Sequence, residues 1–449
     1  MSFQPVILPT DALLLLLLIA LAFGAWWGRR QEHLRVGWAK VARRPTGMAA
    51  ATLLTVFVII GMLDSLHYRP QLPPEPGKPP AYAVEVLSVL DTLLRPLKVD
   101  TEKTYSAPLA THLYSKETVD EGGRELREFP RLKYGGARLG NDLAGYDRDI
   151  ASLALEGLAG GLAASLVFAV VLRRWLRHRQ IAWRSIVATL VVLSLLAGPV
   201  AMLATGYHVF GTDKVGQDVL YLALKSIRTG LVIGTLTTLI MLPAAVLLGI
   251  VAGYVGGWVD DVIQYLYTTL NSIPGVLLIA AAILMMQVVI ANHAEWFTTS
   301  AERADARLLA LCAILGVTSW TGLCRLLRGE ALKLREMDYV QAARAFGVRP
   351  LTIMLRHLLP NVMHIVIISI VMDFSSLVLA EAVLSYINIG VDPNTISFGT
   401  MINAARMELA REPVVWWSLA AAFCFMFAMV LAANLFADVV RDAFDPRMT

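Results

Sequence analysis

A chain of 449 residues that is 57% hydrophobic and only 16% charged, with a mean hydropathy of +0.60, holds more apolar surface than one water-soluble core can bury. It is expected to be a polytopic, all-α membrane protein. The formal net charge of +4 comes from Lys and Arg gathered beside apolar runs, which reads as membrane orientation and excludes nucleic acid as a partner. Cys312, Cys324 and Cys424 fall inside apolar segments, where the side chain packs as a small hydrophobe, so neither a disulfide framework nor a metal site is implied.

A hydrocarbon core about 30 Å thick needs about 20 apolar residues of helix. Nine runs meet that need, at roughly 11–28, 47–64, 151–172, 184–205, 229–252, 263–290, 307–328, 362–388 and 413–437. The first, Ala12 to Trp27, has no basic residue before it and is followed by Arg29 and Arg30, the reverse of a secretory signal. It is read as a retained span with its amino terminus outside. Arg29, Arg30, Arg35, Lys40, Arg43 and Arg44 separate the first two spans, and Arg173, Arg174, Arg177, Arg179 and Arg184 the third and fourth. Both loops are therefore expected in the cytoplasm. Alternation then puts 253–262, 329–361 and the carboxyl terminus inside, and 206–228, 291–306 and 389–412 outside.

Between the second and third spans, residues 65–150 open with Pro70, Pro73, Pro74, Pro76, Pro79 and Pro80 and continue with balanced charge, which predicts a small soluble extracytoplasmic domain behind an extended linker. Ala83 to Leu97 has helical periodicity, whereas Gly135 to Gly145 has no clear period. The expected organisation is 1–64 (two spans and a basic loop), 65–150 (outer domain), 151–205 (two further spans) and 206–449 (the remaining membrane core).

The cytoplasmic loop Met337-Asp338-Tyr339-Val340-Gln341-Ala342-Ala343-Arg344-Ala345-Phe346-Gly347 is predicted to be a short helix. Asp338 is placed to cap the first turn, with Gln341 returning a bond to the cap. Gly347 suits the left-handed residue that closes a helix. Pro350 is expected to start a second short helix that Pro360 stops before Asn361. Ala342 and Ala343 give one face little bulk, so another protein's groove could approach the backbone. The same spacing also describes an amphipathic helix lying on lipid headgroups, and spacing alone leaves both open.

Continuing to Leu355-Arg356-His357-Leu358-Leu359-Pro360-Asn361, this stretch resembles the EAA loop of permease subunits of ATP-binding-cassette importers, above all the oligopeptide and dipeptide permease family. Further family-like strings follow in order: Gly211-Thr212-Asp213 with Gly216 and Asp218, Ala252-Gly253-Tyr254, and Gly256-Gly257-Trp258-Val259-Asp260. Later come Ala380-Glu381-Ala382 with Leu384-Ser385-Tyr386, Phe398-Gly399, and Arg441-Asp442-Ala443 with Asp445-Pro446-Arg447. The likeness covers most of 206–449, and Arg43 to Leu66 resembles the family's first span. It implies a type I importer permease core in a bacterial inner membrane, importing di- or oligopeptides. By the same resemblance the loop is a coupling helix, with Asp338, Gln341, Ala342, Ala343, Gly347 and Pro360 acting on an ATPase partner. The implied assembly has a second permease chain, two ATPase chains holding ATP and Mg, and an extracytoplasmic binding protein. Related permeases carry nickel complexes and other solutes. Two departures stand out: Gln341 occupies a position where the motif usually has Glu, and residues 65–205 have no counterpart in the family.

Within the spans, Gly249, Gly253 and Gly257 have small-xxx-small spacing, which serves either close helix packing or helix termination. Asn271, Ser272, Pro274 and Gly275 put polar groups and a breaker in the sixth run, facing a translocation path or forming a packing kink. Asp373 and Glu381 are intramembrane carboxylates: Asp373 is assigned to a cationic substrate group, and Glu381 to the path or to a brace near the outer mouth. His208, His293, His357 and His364 lack ligand spacing. No G-x-x-x-x-G-K-[ST] loop, H-E-x-x-H or G-x-S-x-G occurs, so no catalytic residue and no cofactor of its own are assigned. The rival readings are an ion-driven secondary transporter, which predicts inverted repeats that are not seen, and a membrane sensor or scaffold with an outer ligand-binding domain.

Overall fold

The computed structural model describes residues 3–28, 30, 32–73, 81–121, 124–140, 143–176, 180–297 and 299–444. Arg29, Arg177, Arg179, Pro74, Pro76, Pro79, Pro80 and Asp445-Pro446-Arg447 lie outside the described residues. The helices begin with α1 (Pro9–Gly28), α2 (Glu32–Arg43), α3 (Pro45–Ser65), α4 (Val89–Leu93), α5 (Arg95–Val99), α6 (Tyr146–Leu176) and α7 (Trp183–Leu203). They continue with α8 (Val219–Val255), α9 (Gly257–Ser272), α10 (Gly275–Asn292), α11 (Ser300–Arg335), α12 (Asp338–Ala345), α13 (Pro350–Ile353), α14 (Leu359–Tyr386), α15 (Phe398–Glu408) and α16 (Trp417–Phe444). Eight helical stretches among the described residues are long and apolar enough to cross a membrane: α3, α6, α7, α8, α10, α11, α16, and α13 and α14 taken together. The remaining expected run, 11–28, coincides with α1, which is apolar over Pro9–Gly24.

The chain forms two compact units. The first comprises Met1–Ile7, Ala39–Gly230 and Thr395–Ala432. In it β1 (Phe3–Val6) pairs antiparallel with β2 (His67–Pro70), Phe3 opposite Pro70, and β2 pairs with β3 (Leu87–Ser88). A second sheet is the hairpin of β4 (Glu117–Glu121) and β5 (Arg124–Glu128). The helix expected over 83–97 is shorter and broken. Ser88 caps α4 in a capping box with Asp91, and the missing amide of Pro96 separates α5 from it. The aperiodic glycine segment contains a 3-10 turn, Ala137–Leu139, between the left-handed Gly136 and Gly140.

Helices α6 and α7 lie backbone to backbone. A Cβ added to Gly157 would fall 2.5 Å from the Gly198 carbonyl oxygen, and one on Gly161 would fall 2.4 Å from that of Ser194. Such closeness is how helices associate in lipid, where no hydrophobic force separates them from their surroundings.

The second unit comprises Leu8–Trp38, Leu231–Asn394 and Ala433–Thr449. One of its cores joins Leu14 of α1, Val232, Ile233 and Leu236 of α8, Leu308, Leu311 and Leu315 of α11, and Leu384 of α14. Another joins Ile250 of α8, Ile263 and Tyr267 of α9, Leu323 and Leu327 of α11, Val340 of α12, and Val362 of α14. The single run expected over 263–290 is two helices. Pro274 has no amide to continue α9, so the chain turns extended at Ile273 and restarts as α10. Gly249 and Gly253 pack on α11, where added Cβ atoms would meet the Cys324 and Arg328 carbonyl oxygens at 2.8 and 2.6 Å. Gly257, with φ +60° and nothing near it, opens α9 just after the turn at Gly256.

Candidate functional site

Helix α12 buries Val340, 1% exposed, in the core between α8, α9, α11 and α14, with Ala343 packed half-buried beside it. Its start differs from the capping box expected from sequence. Met337 holds the extended cap position and no side chain bonds there, while Asp338 is already the first helical residue. Asp338 still lies where the helix dipole favours an acid. Gln341 turns back past the helix start, and its Nε2 donates to the Glu336 carbonyl at 3.2 Å. The carboxyl end closes as expected. Gly347 takes φ +74°, its amide donates to the Arg344 carbonyl at 3.0 Å, and the Val348 amide donates to that of Ala343 at 3.1 Å. These paired bonds satisfy carbonyls that the last turn would leave open.

The two alanines face different ways. Ala342 is exposed, whereas Ala343 is half-buried against the core, because neighbouring residues in a helix point about 100° apart. Gln341, Ala345 and Gly347 are also exposed, and Phe346 is 88% exposed. Phe346 was no candidate in the sequence, where it reads as one more apolar residue; only its outward position distinguishes it.

Pro350 opens α13, as expected, but Pro360 does not stop it. Residues Pro350–Tyr386 run as one helix of 37 residues with a π-helical segment at Met354–Leu358. The wider π turn accommodates the proline ring and its missing donor. Asn361 Nδ2 donates to the His357 carbonyl at 2.6 Å and to the Tyr339 hydroxyl at 3.1 Å, tying α14 to α12.

Behind this loop, Arg328 of α11 grips Asp260 of α9 with two bonds, Nε to Oδ1 at 2.6 Å and Nη2 to Oδ2 at 2.7 Å. The guanidinium holds the Asp260 carboxyl below its ordinary pKa. Between the end of α8 and α12 lies a cavity of about 320 Å³ lined by Tyr254, Arg335, Glu336, Val340, Gln341, Arg344 and Ala345. Arg335 pairs with Glu336 at 3.1 Å.

The four residues assigned to a path have separate surroundings. Asn271 accepts a bond from Thr321 of α11 at 3.1 Å, and Ser272 bonds the Thr269 carbonyl of its own helix at 2.7 Å. Glu381 is 1% exposed and accepts from Ser385 at 2.7 Å, the arrangement of a brace. Asp373 is half-buried in α14, and its carboxyl has no hydrogen-bond or ion-pair partner among the described residues.

In the first unit the loop before α8 carries charges that sequence spacing did not single out. His208 Nδ1 lies 2.8 Å from Asp218 Oδ2, and its Nε2 lies 3.5 Å from Glu102 of the 65–150 segment. Glu102 also accepts from the amides of Lys133, Tyr134 and Gly135. Burial would raise the Glu102 pKa, but His208 and those amides outweigh it and hold it at about 2. For His208, burial acts to lower the pKa, and the Asp218 and Glu102 carboxylates outweigh it and raise it to about 9. Asp218 also caps α8 through the Leu220 amide at 2.8 Å. The 102–106 segment meets the same loop through its backbone. Ser106 N donates to Thr212 Oγ1 at 2.6 Å, and a Cβ on Gly216 would fall 1.9 Å from the Glu102 carbonyl oxygen.

A second cluster joins Lys225 of α8 to Asp64 at 2.9 Å and to Asp91 of α4 at 2.8 Å. Burial opposes ionisation of Asp91, and Lys225 outweighs it, lowering the pKa to about 2.

The family model for the binding-protein-dependent transport system inner membrane component matches residues 245–449, from within α8 to the carboxyl end. The dipeptide transport system permease protein of Lactococcus lactis subsp. cremoris is 32% identical over 54% of this chain and 64% of its own length. The oligopeptide transport system permease protein of Mycobacterium bovis is 28% identical over 62% of this chain and 94% of its own length. The glutathione transport system permease protein of Pectobacterium atrosepticum is 30% identical over 54% of this chain and 73% of its own length. These relatives are named as permeases of transport systems, which favours that reading over a secondary transporter or a scaffold. With its apolar helices and this likeness, the chain belongs to the family of binding-protein-dependent transport system inner membrane components.

Proposed function

We propose that this chain is one of two permease subunits of an ATP-driven importer of di- and oligopeptides, and that α12 is the helix an ATPase partner grips. The observation that carries it is the asymmetry of α12: Val340 anchors one face in the core, and Gln341, Ala342, Ala345 and Phe346 stand outward over a glycine-closed end. Two ATPase chains bind and hydrolyse ATP with Mg, a second permease chain completes the path, and a binding protein delivers substrate from outside. Peptide as substrate rests on the names of the relatives.

The proposed orientation has the amino terminus outside and the carboxyl terminus in the cytoplasm of a bacterial inner membrane. Pairing of β1 with β2 supports it, since it holds residues 3–6 on the same side as the inserted domain. Asp338, Gln341, Ala342, Ala343, Gly347 and Pro360 form or support the coupling contact, and Asp373 meets a cationic substrate group. Asn271 and Ser272 flank the path at the break before Pro274, and Glu381 braces its wall.

The test is to purify the tagged chain in mild detergent, identify what accompanies it, and measure ATP hydrolysis in Ala342→Trp and Phe346→Asp variants. Co-purifying ATPase and second permease chains, with hydrolysis or assembly lost in the variants, is the expected result. A chain that purifies alone and supports gradient-driven flux without ATP overturns the proposal.

A further inference from the structure

Among α3, α7, α8 and α16, wholly inside the first unit, lies an apolar groove of about 770 Å³. Phe57, Val200, Leu224 and Phe425 line it from those four helices, and Leu94 and Pro96 line it from the inserted domain. Its lining offers water few of the polar partners that an ordered water needs. Left empty, its walls would forfeit their dispersion contacts. The fluid that surrounds helices of membrane length is acyl chain, and it matches this lining.

A charge stands next to the apolar lining at the end of the groove beside α4 and α5. Arg95 stands between the lining residues Leu94 and Pro96, is exposed, and has no carboxylate partner among the described residues. A guanidinium offers paired N–H donors that match a phosphate, and it is weakly hydrated enough to sit at an interface. Its position also fits the headgroup level, since α4 and α5 lie just beyond the ends of α3 and α7 that line the groove.

We propose that this groove binds an anionic phospholipid from the bilayer, one acyl chain lying between α3 and α7 with the phosphate at Arg95. The lipid fills the gap between the additional hairpin α6–α7 and helices α8 and α16. The site exists only because this chain carries residues 65–205, which supply α4, α5 and α7. It depends on the membrane-spanning architecture and not on what the protein transports.

The experiment adds phosphatidylglycerol or phosphatidylcholine to the purified protein in detergent, washes it, and counts retained phospholipid per chain by native mass spectrometry. The unsubstituted protein should retain phospholipid and prefer phosphatidylglycerol. Ala197→Trp, which places an indole in the groove, should lower retention about tenfold, equivalent to losing a couple of methylene contacts. Arg95→Gln should keep retention and lose the headgroup preference. Because a tryptophan can disturb packing, a phosphatidylglycerol with a photoreactive acyl chain is also added to the unsubstituted protein, and it should label α3 and α7. Equal retention by Ala197→Trp and the unsubstituted protein, or labelling confined to other helices, overturns the proposal. A crosslink from Leu196→Cys to a second protein chain, with no lipid labelling of α7, also overturns it and gives the groove to a partner helix.

Discussion

Asp218 and Glu102 face the buried His208 at 2.8 and 3.5 Å and favour its charged form. A histidine whose pKa rises from 6.5 to about 9 on folding contributes stability that is fully present below 6.5 and is lost as pH rises through about 9. That shift is worth up to about 3 kcal/mol. Glu102 acts in the opposite sense: held at about 2 instead of 4.5, its contribution is present above 4.5 and is lost as pH falls through about 2. The unfolding temperature of the purified protein should therefore fall on the alkaline side, and His208→Gln should flatten that limb. Asp373 belongs to the same scale. Asp373→Asn should lower uptake of peptides with a free amine, and unchanged uptake and preference would remove it from the path. Asp373 was legible as a carboxylate inside an apolar run. His208 was not, since its partner Glu102 lies in a distant segment and no local spacing announces the pair.

Helices and turns respond to geometry that a single position can break. Gly347 has open space around it, so a larger residue there meets backbone strain and no clash. Left-handed backbone costs an ordinary residue roughly 1–2 kcal/mol and costs Asn less. Gly347→Val should therefore depress ATPase coupling more than Gly347→Asn, with both variants keeping the membrane fold by circular dichroism. At the α6–α7 crossing the fault would be steric. Gly198→Leu drives a side chain into the Gly157 carbonyl, 2.2 Å from where a Cβ would stand, and should lower the unfolding temperature in detergent by an amount corresponding to roughly 2 kcal/mol. The capping box expected at Asp338 failed for a reason of the same kind. Met337 takes the extended backbone, α12 starts one residue early, and Gln341 finds the Glu336 carbonyl in its place.

For the molecule as a whole, the question is whether the inserted domain can be removed. Its 102–106 segment lies along the loop before α8, and its Asp91 shares Lys225 with Asp64. Deleting 70–145 would leave Lys225 with one carboxylate and His208 without Glu102, so the yield of folded protein should fall steeply in size-exclusion analysis. Removing only the hairpin 117–128 spares both clusters. That smaller deletion should weaken binding-protein-stimulated ATP hydrolysis more than basal hydrolysis, and equal loss of both would count against docking at the hairpin. Patterning was enough to locate most of the membrane runs, the breaker at Pro274 and the glycine that closes α12, though it joined α9 and α10 into one run, because hydrophobic length and the restrictions of Pro and Gly act within a few neighbouring residues. The continuous helix through Pro360, the outward Phe346, the inward Ala343 and the charge clusters that bind the insert to α8 were decided by packing. Each depends on which distant segment comes to lie alongside, and burial and electrostatic pairing are properties of that juxtaposition.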